Sequence, residues 1–296
     1  MNRLAAHRRL EILLWLCRGA SLRGVTRSSG VSVNTVTKLL IDAGRLFTTV
    51  FDERMSGIKA KRLVCYKGWC PIVTPGMSVH AADRSDNGVW VWVAVDCDTS
   101  LIVSYQIGGR DPATARAFMS RLSRRLARPL PPLTDAEAAL VSTDDTPFGI
   151  NTAAKKSATA SAIRPLAGAD LQMLQKLRRR GFTRKGTAYS RKPENLGYMA
   201  VIYYVWSNFV RKRKDGRTPA MMAGLADRPY ELAEVAAPLI DGEKTLDRAE
   251  RSPDCTASHW HDRSDTAWTH TWRSNGSHER RSALKSAVSA YLQHEK

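Results

Sequence analysis

From Val89 to Gly108 the chain reads VWVWVAVDCDTSLIVSYQIG, two runs of β-branched and aromatic residues around a short polar turn. Such runs, separated by a few Asp, Thr and Ser residues, form a β-hairpin. Val89–Val95 and Leu101–Ile107 are therefore predicted strands, with Asp96–Ser100 as the loop between them. Asp96 and Asp98 are hairpin residues on this reading, although Asp96 falls near the end of a strand. Arg62–Cys70 (RLVCYKGWC) is an earlier strand of the same character. After Gly109 the period changes to that of a helix, DPATARAFMSRLSRRLA. Asp111 is its cap and Pro112 its first residue, with Ala115, Phe118, Met119, Leu122 and Leu126 on the inward face. A further strand is predicted around Pro131–Thr134, ending at Asp135.

The N-terminal segment is helical. Leu4, Leu10, Leu13, Leu14 and Cys17 share one face, and Gly19 closes the helix. A short second helix follows, capped by Ser21, and Gly30 supplies a tight turn. Ser32 then caps VSVNTVTKLLIDAG, with Val36, Leu39 and Leu40 inward and Asn34, Thr35, Thr37 and Lys38 outward; Gly44 is its predicted end. Helix, helix, glycine turn and a polar-faced third helix make the helix-turn-helix pattern. Asn34, Thr35 and Lys38 would then meet bases or phosphates, and Arg23 and Arg27 the flanking backbone.

Charge points the same way. Lys and Arg number 46 against 28 Asp and Glu, a net charge of +18, which suits a polyanionic partner such as nucleic acid. The five cysteines are scattered, without zinc-ribbon spacing, and read as reduced thiols. No apolar run approaches the roughly 18–20 residues that span a membrane. A cytoplasmic, nucleoid-associated protein is the expectation.

Three antiparallel strands, a helix and a parallel strand ending in an acid open a ribonuclease-H-like nuclease fold. The expected class is thus α/β, a helix-turn-helix followed by a ribonuclease-H-like mixed sheet with flanking helices. Five stretches carry a family likeness: VSVNTVTKLLIDAG, VWVWVAVDCDTSLIVSYQIGGRD, FMSRLSRRLA, AVIYYVWSNFVR and RTPAMMAGLADR. Taken together they resemble the DDE transposases of the insertion-sequence-one type, from about Arg3 to Asp241. The resemblance implies magnesium-dependent cleavage and strand transfer at element ends. It also implies double-stranded DNA bearing the element's terminal repeats as partner, and allows a homodimer. The expected organisation is a helix-turn-helix domain at 1–46, a linker at 47–60, and a DDE-type domain at 61–241 that is shortened near 151–168. A tail outside the family pattern, 242–296, is expected to be poorly ordered.

Carried over position by position, the family's acidic triad is incomplete. Its first Asp, three residues before the strand tryptophan, falls on Tyr66, because Cys65 and Trp69 match on either side. A phenol with a pKa near 10 is a poor ligand for a hard cation. Lys67 adds a positive charge beside it. The second Asp matches Asp135 without gaps and would ligate the metal, while Asp144 and Asp145 in STDDTPF offer the same motif nine residues on. The third acid, a Glu, falls on Ala169; Asp170 stands one position off and a methylene shorter. With a carboxylate missing, two magnesium ions lack charge balance and fixed spacing. The implied copy is a transposase with impaired catalysis.

The positive surface is better preserved. Lys176, Arg178, Arg179, Arg180, Arg184, Lys185, Arg191 and Lys192 follow one another with no acid between Leu171 and Pro193, a predicted phosphate track. GYMAVIYYVWSNFV is apolar throughout and reads as a buried helix on the sheet. Beside the enzyme reading stands a second one: a DNA-binding protein without catalysis, holding element ends or repressing transposition. A third is a relic without a present role.

Overall fold

The computed structural model describes residues 4–72, 88–131, 133–143, 147–152, 163–164 and 192–241. Three helices come first. Helix α1 (Ala6–Cys17) buries Ile12, Leu13, Trp15, Leu16 and Cys17, and the chain turns at Gly19 with φ +78°. Helix α2 (Leu22–Ser29) starts where the Ser21 hydroxyl accepts the Gly24 amide at 3.1 Å. It stops at Gly30, whose φ of +71° is left-handed. Helix α3 (Val33–Arg54) starts where the Ser32 hydroxyl accepts the Thr35 amide at 3.2 Å. These caps satisfy amides that the first turn cannot pair internally.

Helix α3 does not end at Gly44. It runs ten residues further, carrying Phe47 and Phe51 into the core. The predicted linker at 47–60 is therefore the end of this helix and a connection in which Met55, Ile58 and Ala60 are also buried. The glycine serves close packing. A Cβ at Gly44 would stand 2.3 Å from the Tyr198 ring of helix α6 (Pro193–Val205), so the helices can meet there only without a side chain. Ile58 then donates to the Arg125 carbonyl at 3.0 Å, and Ala127 donates back to Ile58 at 2.9 Å. The N-terminal helices and the sheet share one apolar core.

The sheet contains β1 (Arg62–Pro71), β2 (Gly88–Asp96), β3 (Ile102–Gly108), β4 (Phe148–Asn151) and the two-residue β5 (Ile163–Arg164), in the order β3-β2-β1-β4-β5. The hairpin joins β2 to β3 as expected. Every pairing between these strands is antiparallel, including β1 with β4 (Arg62↔Asn151 to Cys65↔Phe148), so the expected mixed sheet is corrected; the one parallel bridge among the described residues, Ile58 with Leu126, lies outside the sheet. The correction has a local cause. Pro131–Thr134 does not extend as a strand, because Thr134 caps helix α5 (Asp135–Thr143). The Thr134 hydroxyl accepts the Glu137 amide at 3.2 Å, and the Glu137 carboxylate accepts the Thr134 amide at 3.2 Å, a reciprocal capping box.

Helix α4 (Pro112–Arg125), capped by Asp111 through the Thr114 amide at 2.9 Å, packs with α5 on one face of the sheet. Trp92 of β2 meets Phe118 of α4 there, with ring centroids 5.7 Å apart. Helices α3 and α6 cover the other face, where Tyr105 of β3 touches Phe51 at 5.4 Å and Tyr204 at 5.2 Å. Helix α6 continues into a π-helical turn, Trp206–Val210. That turn aims the buried Asn208 side chain at the edge strand, accepting the Ile102 amide at 3.0 Å and donating to the Ile102 carbonyl at 2.9 Å. It thus occupies edge groups that would otherwise recruit another strand. Short helices α7 (Pro219–Met222), α8 (Leu232–Val235) and α9 (Ala237–Asp241) end the described chain, and Arg9 of α1 donates to the Leu239 and Ile240 carbonyls of α9. No helix among the described residues is long and apolar enough to cross a membrane. The described cysteines (Cys17, Cys65, Cys70 and Cys97) carry no disulfide, and burial pushes the Cys70 thiol up to about 12.

Candidate nucleic-acid interface and the expected carboxylate site

The first turn and a half of α3 buries Val36 and turns its other side outward. Ser32, Val33, Asn34, Thr35 and Lys38 are exposed there, and Arg23 and Arg27 are exposed on the preceding α2. No acid lies in the first turn of α3. The structure therefore brings Asn34 and Lys38 together on one helix face, as expected. Thr35, exposed on the same turn, also takes part in the cap: its hydroxyl lies 2.9 Å from Ser32 Oγ, and its amide donates to the same oxygen. Val33, not singled out from the sequence, is 45 % exposed. The signal for it was positional, since a cap at Ser32 makes Val33 the first helical residue. Arg8 of α1 donates to the Ser29 carbonyl and pairs with Glu11 at 2.9 Å, tying α1 to the end of α2.

A second cationic region follows the π-helical turn. Lys212, Arg213, Lys214 and Arg217 are exposed around a turn at Gly216. Arg213 donates to the Thr99 carbonyl at 3.0 Å, so this turn rests on the β2–β3 hairpin. Arg62 and Asp98 pair at 2.7 Å beside it. Lys176, Arg178, Arg179, Arg180 and Arg184, with Asp144, Asp145, Asp170 and the tail 242–296, lie outside the described residues.

Asp96 is a hairpin residue in the structure. It is 3 % exposed, and its carboxylate accepts the Thr99 hydroxyl at 2.5 Å and the Thr99 amide at 3.3 Å. Burial raises its pKa above the usual carboxylate value, partly offset by those hydrogen bonds. An acid whose pKa is higher folded than unfolded binds more protons in the folded state over that interval. Stability then falls as pH rises through it. Asp96 therefore contributes a fall in melting temperature as pH rises through its titration, opposite in sign to the contributions of Asp215 and Glu234, whose pKa values are lowered. Asp96→Asn keeps an oxygen for Thr99 and should lose that part of the slope in a melting series. An unchanged slope would place the titration on another group.

Of the positions expected for the acidic triad, Tyr66 and Asp135 are among the described residues, and these two do not converge. Tyr66 is buried in β1, opposite Val93, which in turn pairs with Tyr105. It lies near Tyr204, whose phenol is pushed well up by burial and by Tyr66 among its neighbours, which puts Tyr66 on the α6 face. Successive strand residues point to opposite faces. Lys67 accordingly leaves on the other side, donating to the Val141 carbonyl of α5 with its ammonium 5.2 Å from the Trp92 ring centre. It does not stand beside Tyr66, as the sequence had suggested. Asp135 begins α5, on that second face. Its side chain is 97 % exposed and pairs with Arg116 at 3.0 Å, a solvated ion pair of small worth. Read as the end of a parallel strand, Asp135 is instead a helix N-terminal residue.

No group of three or more His, Cys, Asp or Glu side chains that could hold a metal occurs among the described residues. Tyr66 and Asp135, on opposite faces of the sheet, do not fit the magnesium ions that the resemblance implies. Comparison with family models, with curated proteins and with solved structures gave no match.

Proposed function

We propose that the chain is a DNA-binding protein of insertion-sequence-one transposase type that grips duplex DNA with its N-terminal helices and does not carry out two-metal cleavage. The observation that carries this is the start of α3: capped by Ser32, exposed, free of acids in its first turn, and flanked by Arg23, Arg27 and Lys38. On this reading α2, the Gly30 turn and α3 form a helix-turn-helix. The recognition helix enters the major groove by its N-terminal residues, which reach base edges while the cations contact phosphates. A chain of net charge +18 adds a sequence-independent attraction that slides it along DNA towards its site.

The ribonuclease-H-like reading draws support from three antiparallel strands followed by α4 and then by β4 beside β1. The antiparallel direction of β4 departs from that pattern. The sheet then acts as a scaffold: α3 is 22 residues long and buries Val36, Leu39, Leu40, Ala43, Phe47 and Phe51 along one side, while the outward side of its first turns carries Asn34 and Lys38 towards DNA. Holding element ends, or occupying them against an active transposase, is the activity such a scaffold supports.

The test incubates the full chain with a labelled duplex carrying the DNA that flanks its gene, in magnesium and in manganese. The expected result is a retained, uncut duplex whose retention falls with added salt. Nicked or joined product dependent on the metal would overturn the non-catalytic half of the proposal. Absence of binding at low salt would overturn the other half.

A further inference from the structure

We infer that Val33 reads the C5-methyl group of a thymine, with Asn34 and Lys38 meeting the neighbouring base pairs; this rests on the DNA-binding reading above. Val33 and Leu140 are the large hydrophobic side chains that stand exposed among the described residues. A β-branched residue gains nothing for the helix at an exposed first position. Ser32 already provides the cap, so the local structure does not require valine there.

The surroundings narrow what could cover it. Asn34 and Lys38 are exposed beyond it on α3, and Arg27 lies exposed on α2. An apolar protein surface docking here would strand those cations and the amide against apolar groups. The major groove presents the complementary set: phosphates on both rims, donors and acceptors on base edges, and one apolar feature, the thymine methyl. At about 100° and 1.5 Å per residue, positions 33, 34 and 38 span a sector of about 140° and a rise of about 7.5 Å. That rise matches roughly two steps of base stacking at 3.4 Å. Asn34 has the carboxamide that pairs in bidentate fashion with adenine, and Lys38 can donate to guanine or to phosphate.

The experiment first selects bound duplexes from a randomised library with the full chain. Each thymine of the selected site is then replaced in turn by uracil, which removes only the C5-methyl group. Wild type should lose about fourfold in affinity at one thymine, the worth of about one buried methyl group. Val33→Ala should bind the thymine and uracil forms of that position alike, with an unchanged circular dichroism spectrum. Asn34→Ala should keep the uracil effect while losing preference at an adjacent base pair. Wild type indifferent to uracil at every position would overturn the inference, and so would a Val33→Ala protein that keeps the discrimination. A selection that yields no preferred sequence would instead remove the DNA-reading proposal on which it stands.

Discussion

Replacing Arg125 by methionine is expected to lower the unfolding free energy by about 2 kcal/mol, the cost of losing a charge-assisted bond to the part-buried Asp52 and of leaving the Val103 carbonyl without its donor. Arg125 ends α4 and is 6 % exposed. Its guanidinium pairs with Asp52 of α3, lies 4.6 Å from the Phe51 ring centre, and donates to the Val103 carbonyl of β3 at 3.1 Å. Three elements thus depend on one side chain: the long helix, the edge strand and the helix beneath it. Burial pulls its pKa below the usual arginine value, and Asp52 acts against that shift. Methionine fills similar volume but leaves Asp52 and the Val103 carbonyl unanswered. Urea unfolding of the single variants and of Asp52→Ala with Arg125→Met would show the pairing directly. The double variant should be less destabilised than the sum of the singles. Strict additivity would mean that the pair contributes nothing.

Restoring an acid at position 66 is expected to damage the fold before it could help chemistry. Tyr66→Asp removes an aromatic ring from the α6 face of β1 and buries a carboxylate in its place, for a loss of about 4 kcal/mol or more. Tyr66→Phe keeps the ring and should cost about 1 kcal/mol. A buried carboxyl has a raised folded pKa, so the stability of Tyr66→Asp should recover in part as pH falls and the acid becomes neutral. Thermal melts of the three proteins at several pH values check this. A Tyr66→Asp protein as stable as wild type at neutral pH, with new magnesium-dependent cleavage, would show instead that the position opens onto a metal site.

Local features of this fold are written in neighbouring residues and were legible in the sequence. Ser21, Ser32 and Asp111 cap because each precedes a helical run, and the amide three residues on is within reach. The β2–β3 hairpin follows from strand residues around a polar turn. Thr134-Asp135-Ala136-Glu137 carried an equally local signal, a capping box. Reading Pro131–Thr134 as an extended run passes over that signal and turns the helix start into a strand end. What stayed illegible depends on partners far along the chain. Gly44 reads as a helix stop until Tyr198 is placed on it. Arg125 reads as one more cation of a basic helix until Asp52, 73 residues earlier, is found beside it. Lys67 and Tyr66 are neighbours in sequence, yet the pleat sends them to opposite faces.

At the candidate site, the outward placement of Asn34 and Lys38 followed from helical phase, while Arg23 and Arg27 were legible only as basic residues around the turn. The role of Thr35 in the cap and the exposure of Val33 needed the positions of atoms around them. The face proposed to meet DNA was therefore visible in outline, while its division into reading and supporting residues was not.

The central claim is that the α2–α3 face grips the duplex, and the salt dependence of binding tests it most directly. Fluorescence anisotropy of a labelled duplex would be followed from about 50 to 200 mM salt, with the full-length wild type and the variant Arg23→Glu/Arg27→Glu/Lys38→Glu. Each phosphate contact adds about 0.9 to the slope of log affinity against log salt, so the variant should bind at least tenfold more weakly with a slope lower by about 2–3. A variant that binds with the wild-type affinity and the wild-type slope would contradict the account and move the DNA to another surface of the protein.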